Sequence, residues 1–442
     1  MATQKLYWSD PFAMTFSGAR ARADSWTDEH GTRATLVLDR TLFYPESGGQ
    51  LADTGTLSMA GRTVRVADVQ IDEQGTIHHV LAEPLEPFDD DAGDVSGAVD
   101  ATRRFDHMVQ HTAQHALSRA LVEVARAETV SSRLGASACT IDVDGALDER
   151  DLARAEDCVN SVVTSDVVVR QLFPTPDELA SMRLRRAPSV DRDVRIIDIE
   201  GFDLTPCGGT HCTRTGQIGL VRVVGLEKYV VRMRDGGGPG AGSKKQGWRV
   251  TFHAGRRALD DVRAKDAVLA ELARTFTCGM LDVAAAVGKL QAQLKGRTDQ
   301  LSLSRGELVE LLAERELAAH PPDPSGTTRV VVVRSGEGGD VSLLRTLAGR
   351  LASRPDVVAF CACRGSMQGG IAGDAGDSGR TGGETDWTLV VQRGSGTSFD
   401  CGSWLKRAAA AHGGRGGGRP ERAEGRFPSG VSMRDVTGAG SG

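Results

Sequence analysis

The chain of 442 residues is too long for one ordinary core, and its 40% hydrophobic and 25% charged content fits a water-soluble globular protein of two to four domains. No run approaches the roughly 20 apolar residues of a membrane span, and MATQKLYWSDPF lacks the basic-then-apolar layout of a secretion signal, so a cytoplasmic protein without membrane attachment is expected. The net charge of −6 argues against a uniformly nucleic-acid-binding surface, and eight dispersed cysteines suit reduced thiols with one metal site better than a disulfide framework.

In chain order, residues 1–100 read as short strands. TRATLVLD alternates, TGTLSMAGRTVRVADVQ alternates around a Gly turn, and GTIHHVL follows, which predicts a small β-barrel or sandwich. EPFDDDAGDVSGAVD (86–100) is an acidic connector. From Arg103 the period becomes helical, with Phe105, Met108, Val109, Thr112, Ala116, Ala120, Leu121 and Val124 on one side and Leu117 widening it, so a buried helix of about twenty residues is expected. A second helix over 147–165 and strands around VVVRQLF and VRIIDIEG make 101–250 an α+β domain.

Residues 251–320 form a helical connector. Val287, Leu290, Leu294, Leu301, Leu308 and Leu311 keep a 3-4 spacing that Arg297 and Ser304 interrupt, which fits a helical hairpin or short coiled coil. The same stripe serves a monomer packed within the chain or a homodimer, and both stay open. HPPDPSG (320–326) ends the helix. Beyond it, RVVVVR, SLLRTLAGRLAS, DVVAFCAC, DWTLVVQ and DCGSWLKRAAAAH predict a small α/β module over 321–442, interrupted by a Gly-rich stretch (365–386) expected to be a disordered insert. Cys361 and Cys363 are expected to be strand residues rather than ligands. Over 406–426, six basic residues stand against Glu421 and Glu424, a local patch suited to phosphates on an acidic whole.

The chemistry concentrates in two short motifs. HMVQHTAQH (107–115) stacks three histidines at spacings of four, and residues four apart on a helix differ by about 40° around its axis, so two imidazoles reach one ion. CGGTH (207–211) places Cys207 and His211 on either side of a Gly-Gly turn that lets both side chains converge. Two imidazoles with a thiolate-imidazole pair make a reasonable zinc set. Core histidines beside a buried cysteine remain the alternative on residues alone. A metalloprotease is excluded, because Thr112 stands where its general base would be.

RTLFYPESGGQLADTG (40–55), HTAQH (111–115) and IEGFDLTPCGGTHCTRTGQIG (199–219), in that order, resemble the editing domain of alanyl-tRNA synthetase and its freestanding relatives, the AlaX proteins. GWRVTFHAGRRALDDV (247–262) resembles the exit of that domain. HGGRGGGRPERAEG (412–425) resembles the Gly-rich signature of the C-terminal module shared with DHH-family phosphoesterases, although no Asp-His-His motif accompanies it. The resemblance covers essentially the whole chain. No aminoacylation part precedes it, so a protein that does not make aminoacyl-tRNA is expected.

The resemblance implies an α+β protein: a small N-terminal β-barrel, a zinc-binding editing domain, a helical connector and the C-terminal module. It implies hydrolysis of the ester joining serine, or glycine, to the 3′ end of alanine tRNA, with mischarged tRNA(Ala) as partner. His111, His115, Cys207 and His211 become the Zn2+ ligands, with His107 a neighbour one turn earlier or an alternative ligand, and Cys212 structural. The zinc either positions substrate or activates water. Gln50, closing ESGGQ, would hold the attacking water or the oxyanion, while the glycines before it allow approach to the terminal adenosine. Thr41 would recognise the serine hydroxyl, because an unpaired buried hydroxyl rejects alanine; an ordinary strand threonine is the alternative. Glu46 is expected to be a solvated turn residue. Arg415, Arg419, Gly416 and Gly417 would bind tRNA through charge and exposed backbone N–H groups, and residues 183–195 would add a second phosphate contact. A tRNA-binding module with a purely structural zinc is the competing reading.

Overall fold

Short alternating segments fold the first hundred residues into strands. The computed structural model describes residues 3–29, 31–59, 61–84, 94–188, 194–232, 244–334, 339–364 and 386–438. Seven strands pair antiparallel: β1 (Thr15–Ala19), β2 (Ala21–Asp28), β3 (Gly31–Leu38), β4 (Gly55–Met59), β5 (Arg62–Ile71), β6 (Ile77–Leu81) and β7 (Val95–Val99). Their order is β1-β7-β4-β5-β6-β3-β2. The expected closed barrel does not form. The two edges, β1 and β2, are consecutive pieces of chain parted only by Arg20, so they run end to end and no ladder joins them. Leu36, Phe43, Leu57, Val66 and Ile77 fill the core of this sheet. Residues 86–93 of the acidic connector lie outside the described residues.

Asp100 caps α1 (Ala101–Ala125) by accepting the Arg103 N–H at 3.1 Å, and Arg126 ends it with φ 54°. The helix is 25 residues long, somewhat more than the periodicity predicted, and it is buried almost continuously from His107 to Leu121. One guanidinium anchors it: Arg104, fully buried, pairs with the equally buried Asp53 and donates to the Leu42 and Pro11 carbonyls. Asp53 in turn accepts the Tyr44 N–H at 2.6 Å, so the start of α1 is fixed to the TLFY segment.

A four-stranded antiparallel sheet packs on α1. It comprises β8 (Thr129–Leu134), β9 (Cys139–Val143), β13 (Val221–Arg232) and β14 (Lys244–Ala254), in the order β8-β9-β14-β13. With α2 (Glu149–Thr164), started by a capping box at Asp148, it encloses a core that includes Met108, Leu117, Ile141, Val159 and Phe252. β10 (Val169–Leu172), β11 (Ile196–Ile199) and β12 (Asp203–Pro206) form a third, three-stranded sheet, whose last strand runs directly into Cys207.

The chain divides into two compact units, Met1–Thr275 and Phe276–Gly442. The predicted helical connector is two helices, α3 (Gly255–Phe276) and α4 (Val283–Ala319). The leucine stripe on α4 is not covered: Leu290, Leu294, Leu301, Leu308 and Leu311 are 51%, 67%, 53%, 41% and 65% exposed, and the residues buried near the C-terminal end of the helix are Val309, Leu312 and Ala313, which lie off the stripe.

The second unit is built on a five-stranded sheet. β15 (Thr328–Arg334), β16 (Val357–Arg364), β17 (Trp387–Arg393), β18 (Arg415–Gly418) and β19 (Arg422–Phe427) take the order β15-β16-β17-β19-β18, with only β15 and β16 parallel. α5 (Val341–Leu351) and α6 (Cys401–Ala411) cover it. β16 is buried on both faces: Cys361 and Cys363 enter the core with α5, and Phe360 and Ala362 the core with α6. Residues 365–385 of the Gly-rich insert lie outside the described residues. No helix among the described residues is long and apolar enough to cross a membrane.

Candidate metal centre

His111 and His115 stand one turn apart on α1, and Cys207 and His211 bound the turn after β12. The ligand atoms of these four residues all lie within 4.8 Å of one another. His111 Nε2 and His211 Nε2 are each 3.3 Å from Cys207 Sγ. Ligands about 2.0 to 2.3 Å from a tetrahedral ion lie about 3.3 to 3.8 Å apart, so the donor types and the two 3.3 Å separations fit zinc, while the set as a whole is slightly wider. His107 is outside the group, 2% exposed, with a buried Nδ1 that has no partner among the described residues. Cys212 is buried and donates its N–H to Thr112 Oγ1 at 3.0 Å.

Each imidazole has an oxygen behind it. His111 Nδ1 is 2.8 Å from Gln50 Oε1, His211 Nδ1 is 3.3 Å from Thr112 Oγ1, and His115 Nδ1 is 3.6 Å from Asp203 Oδ2. Thr112 illustrates how this fixes a tautomer. Its hydroxyl donates to Met108 O at 2.7 Å and accepts the Cys212 N–H, leaving one acceptor site, so His211 Nδ1 must carry the proton and Nε2 is left with its lone pair toward the cluster. Asp203 is held by Arg185 at 2.8 Å and by the Thr205 hydroxyl at 2.8 Å.

The electrostatics agree with ligand chemistry. Burial alone would raise the Cys207 thiol, but the imidazoles of His211 and His115 prevail and hold it well below its ordinary range, toward thiolate. Burial, reinforced by neighbouring imidazoles, keeps His111 and His211 well below the usual value and neutral.

The CGGTH turn is pinned from several sides. Arg195, 5% exposed, donates to Cys207 O at 2.9 Å and Gly209 O at 2.7 Å, and Trp8 Nε1 donates to Gly208 O at 2.9 Å. A Cβ on Gly209 would stand 2.2 Å from His111 Cε1 and 2.8 Å from Gln50 Oε1, so only glycine fits between them.

Gln50 is fully buried. Its amide oxygen accepts from His111 and from the Thr210 N–H at 3.1 Å, and its amide nitrogen donates to Thr210 Oγ1 at 2.9 Å, leaving one amide hydrogen. Gly49, with φ +87°, lies against the backbone of β8, where a Cβ would meet Ser132 O at 2.5 Å; this contact accounts for the glycine without a nucleotide. Glu46 is exposed. Thr41, 0% exposed, accepts the Phe43 N–H at 3.0 Å and lies 2.7 Å from His79 Nε2. His79 Nδ1 must donate to Leu36 O at 2.8 Å, and burial pushes its pKa down to about 4, so the Thr41 hydroxyl donates to Nε2 and keeps one acceptor site. Neither of these bonds reaches the metal cluster.

Two arginines of segment 183–195 are spent on structure, Arg185 on Asp203 and Arg195 on the turn; Arg183 and Arg186 are exposed, and residues 189–193 lie outside the described residues. Arg415, Gly416, Gly417 and Arg419 belong to the second unit, on or just after the edge strand β18, and do not join the cluster. Packing explains most of these glycines, since a Cβ on Gly416 would meet Gly425 Cα at 2.4 Å and one on Gly418 would meet Arg422 O at 2.3 Å, while Gly417 is open. The sequence assigns no such role to Thr112, Asp203 or Trp8, and it places Arg195 among the expected phosphate contacts of 183–195; only Thr112, inside the HTAQH motif, carried any signal.

Comparisons with known proteins bear on this site. Residues 15–103 match the family model for tRNA synthetases class II (A), and residues 194–250 match that for the threonyl and alanyl tRNA synthetase second additional domain, which contains Cys207 and His211. Alanine–tRNA ligase of Thermobifida fusca is 32% identical over 408 residues, 89% of this chain and 42% of that protein. The ligase of Methanothrix thermoacetophila is 27% identical over 99% of this chain and 44% of its own length. The alanyl-tRNA editing protein AlaX-L of Pyrococcus horikoshii is 29% identical over 258 residues, 58% of this chain and 59% of that protein. The chain thus spans less than half the length of these ligases. With both His/Cys motifs inside the matched stretches, the chain is homologous to alanine–tRNA ligases and to an AlaX-type alanyl-tRNA editing protein.

Proposed function

We propose that this protein is an aminoacyl-tRNA deacylase acting in trans, which hydrolyses the ester of mischarged Ser-tRNA(Ala), with Gly-tRNA(Ala) as the second candidate. The observation that carries the reading is the convergence of His111, His115, Cys207 and His211 in a chain related to alanyl-tRNA editing proteins. An aminoacyl ester is already activated, so its hydrolysis asks mainly for positioning and polarisation. Zinc bound by the four residues would supply Lewis-acid polarisation. Gln50 orients His111 and offers its remaining amide hydrogen to the attacking water or the developing oxyanion. Thr41, fixed by His79, offers one acceptor site to the serine hydroxyl, a partner that alanine lacks. The exposed arginines 415 and 419 of the second unit hold tRNA phosphates.

A second reading has one observation in its favour: four protein ligands close a tetrahedral shell, as in structural zinc sites. On that reading the protein only binds tRNA. Serine release from Ser-tRNA(Ala) separates the two. The wild type should turn over, Cys207→Ala should abolish turnover, and Gln50→Ala should lower kcat by about 10- to 100-fold. Intact tRNA binding with no turnover by the wild type would establish the binding module instead.

A further inference from the structure

Beside the metal centre runs an open groove of about 940 Å³ between the N-terminal segment and the residues after β10; Lys5, Trp8, Gln171, Phe173, Pro174 and Leu179 are among its lining residues. Both walls are tied to the ligand turn. Trp8 donates to Gly208 O, and Gln171 accepts from Arg195 Nε at 3.1 Å, the guanidinium that also holds Cys207 O and Gly209 O. The groove therefore keeps a fixed place next to the cluster.

Its chemistry is specific. Phe173 is 56% exposed and belongs to no core cluster, yet its ring lies 6.1 Å from that of Trp8, tilted by 52°. Lys5 Nζ sits 4.4 Å over the Trp8 ring. None of the described lining residues is acidic, although acids outnumber bases in the chain as a whole. Exposed aromatic faces with a cation and without carboxylates suit a polyanion that carries flat bases. Two separate, inclined rings suit unstacked bases rather than a duplex.

We infer that this groove receives the single-stranded 3′ end of the RNA substrate, with a base stacked on Phe173 beside Trp8 and a phosphate near Lys5. The inference rests on the deacylase reading, which brings the terminal nucleotide to the cluster, so that the preceding nucleotides must cross the adjoining surface. Phe173 acts on binding, while the ester is handled by the cluster.

The test uses the full chain with Phe173→Ala, Phe173→Tyr and Phe173→Leu. With aminoacylated tRNA, Phe173→Ala should raise KM by about five- to hundredfold, the factor expected of one base–aromatic stack, and leave kcat within about twofold. Phe173→Tyr should restore KM; Phe173→Leu, apolar but unable to stack, should not. A short single-stranded RNA should bind with the same pattern, whereas an abasic strand of equal length should bind wild type and Phe173→Ala alike. Unchanged KM and RNA affinity in Phe173→Ala would overturn the groove assignment while leaving hydrolysis by the wild type intact. A wild type that hydrolyses nothing but binds the short RNA in a Phe173-dependent way would retain the groove and reject the deacylase reading. Recovery by Phe173→Leu as complete as by Phe173→Tyr would also overturn the stacking role.

Discussion

Thr112 shows how much of a candidate metal site lies behind the residues that would bind the ion. Helical periodicity puts it on the apolar side of α1, which is true of its burial but silent about its hydroxyl. That hydroxyl serves Met108 O, the Cys212 N–H and His211 Nδ1 at once, and so decides which imidazole nitrogen faces the thiolate. Thr112→Val keeps the shape and removes all three bonds. Zinc affinity, read by competition with a chromophoric chelator, should fall about 10- to 100-fold, and Thr112→Ser should recover most of it. Wild-type affinity in the valine variant would mean that His211 is oriented by packing alone. The grouping of the four His and Cys residues was legible because His and Cys at these spacings have few other uses together. Asp203 and Arg195 were not, since an acid before a turn and an arginine in a basic run have many ordinary explanations, and only the fold puts them beside His115 and Cys207.

At the scale of elements, periodicity located α1, α2, the central strands of the N-terminal sheet and β15, β16 and β17 of the second unit to within a few residues. It did not find β1, β2, β8, β9, β12, β18, β19 or the full length of the β13–β14 hairpin. β1 and β2 are half exposed and carry small or polar residues, and β8 (TVSSRL) is polar on one side, so alternation is weak. The Gly-rich stretch after 412 was legible as a signature but not as a strand: glycine is poor in sheets by propensity, and here it is required by the close approach of β19. The CGGTH turn was read correctly as a tight bend, and its two glycines are unequal. Gly208 has open space around it, whereas Gly209 is wedged between His111 and Gln50. Gly209→Ala should therefore cut the zinc affinity of the purified protein roughly tenfold or more by displacing the His111 ring, with far-UV circular dichroism unchanged. Gly208→Ala should bind zinc like the wild type. Equal behaviour of the two variants would mean that the turn relaxes and does not set the imidazole.

The whole molecule is acidic, yet one hairpin collects uncompensated cations. Glu424 is taken by Arg345 at 2.6 Å from outside the hairpin and lies 4.0 Å from Arg422 within it, and Glu421 is met by Arg393 at 3.5 Å, while Arg415 faces Arg426 across β18 and β19 with no acidic partner to either among the described residues. Like charges placed opposite each other on paired strands disfavour folding, an arrangement that becomes favourable when phosphates lie over it. The leucines of α4 are exposed, and the stripe gives no reason to assign them to RNA. The net charge of −6 hid this division, because opposing local charges cancel in the sum. If Arg415 and Arg419 each neutralise one phosphate, the double substitution to alanine should weaken tRNA binding at every ionic strength. It should also reduce the slope of log affinity against log salt by roughly 1.5 to 2. The four ligand residues lie in the first unit, so kcat at saturating tRNA should stay at the wild-type value. An unchanged slope would place the phosphate contacts elsewhere, and a lost kcat with an unchanged slope would make these arginines part of catalysis rather than of capture.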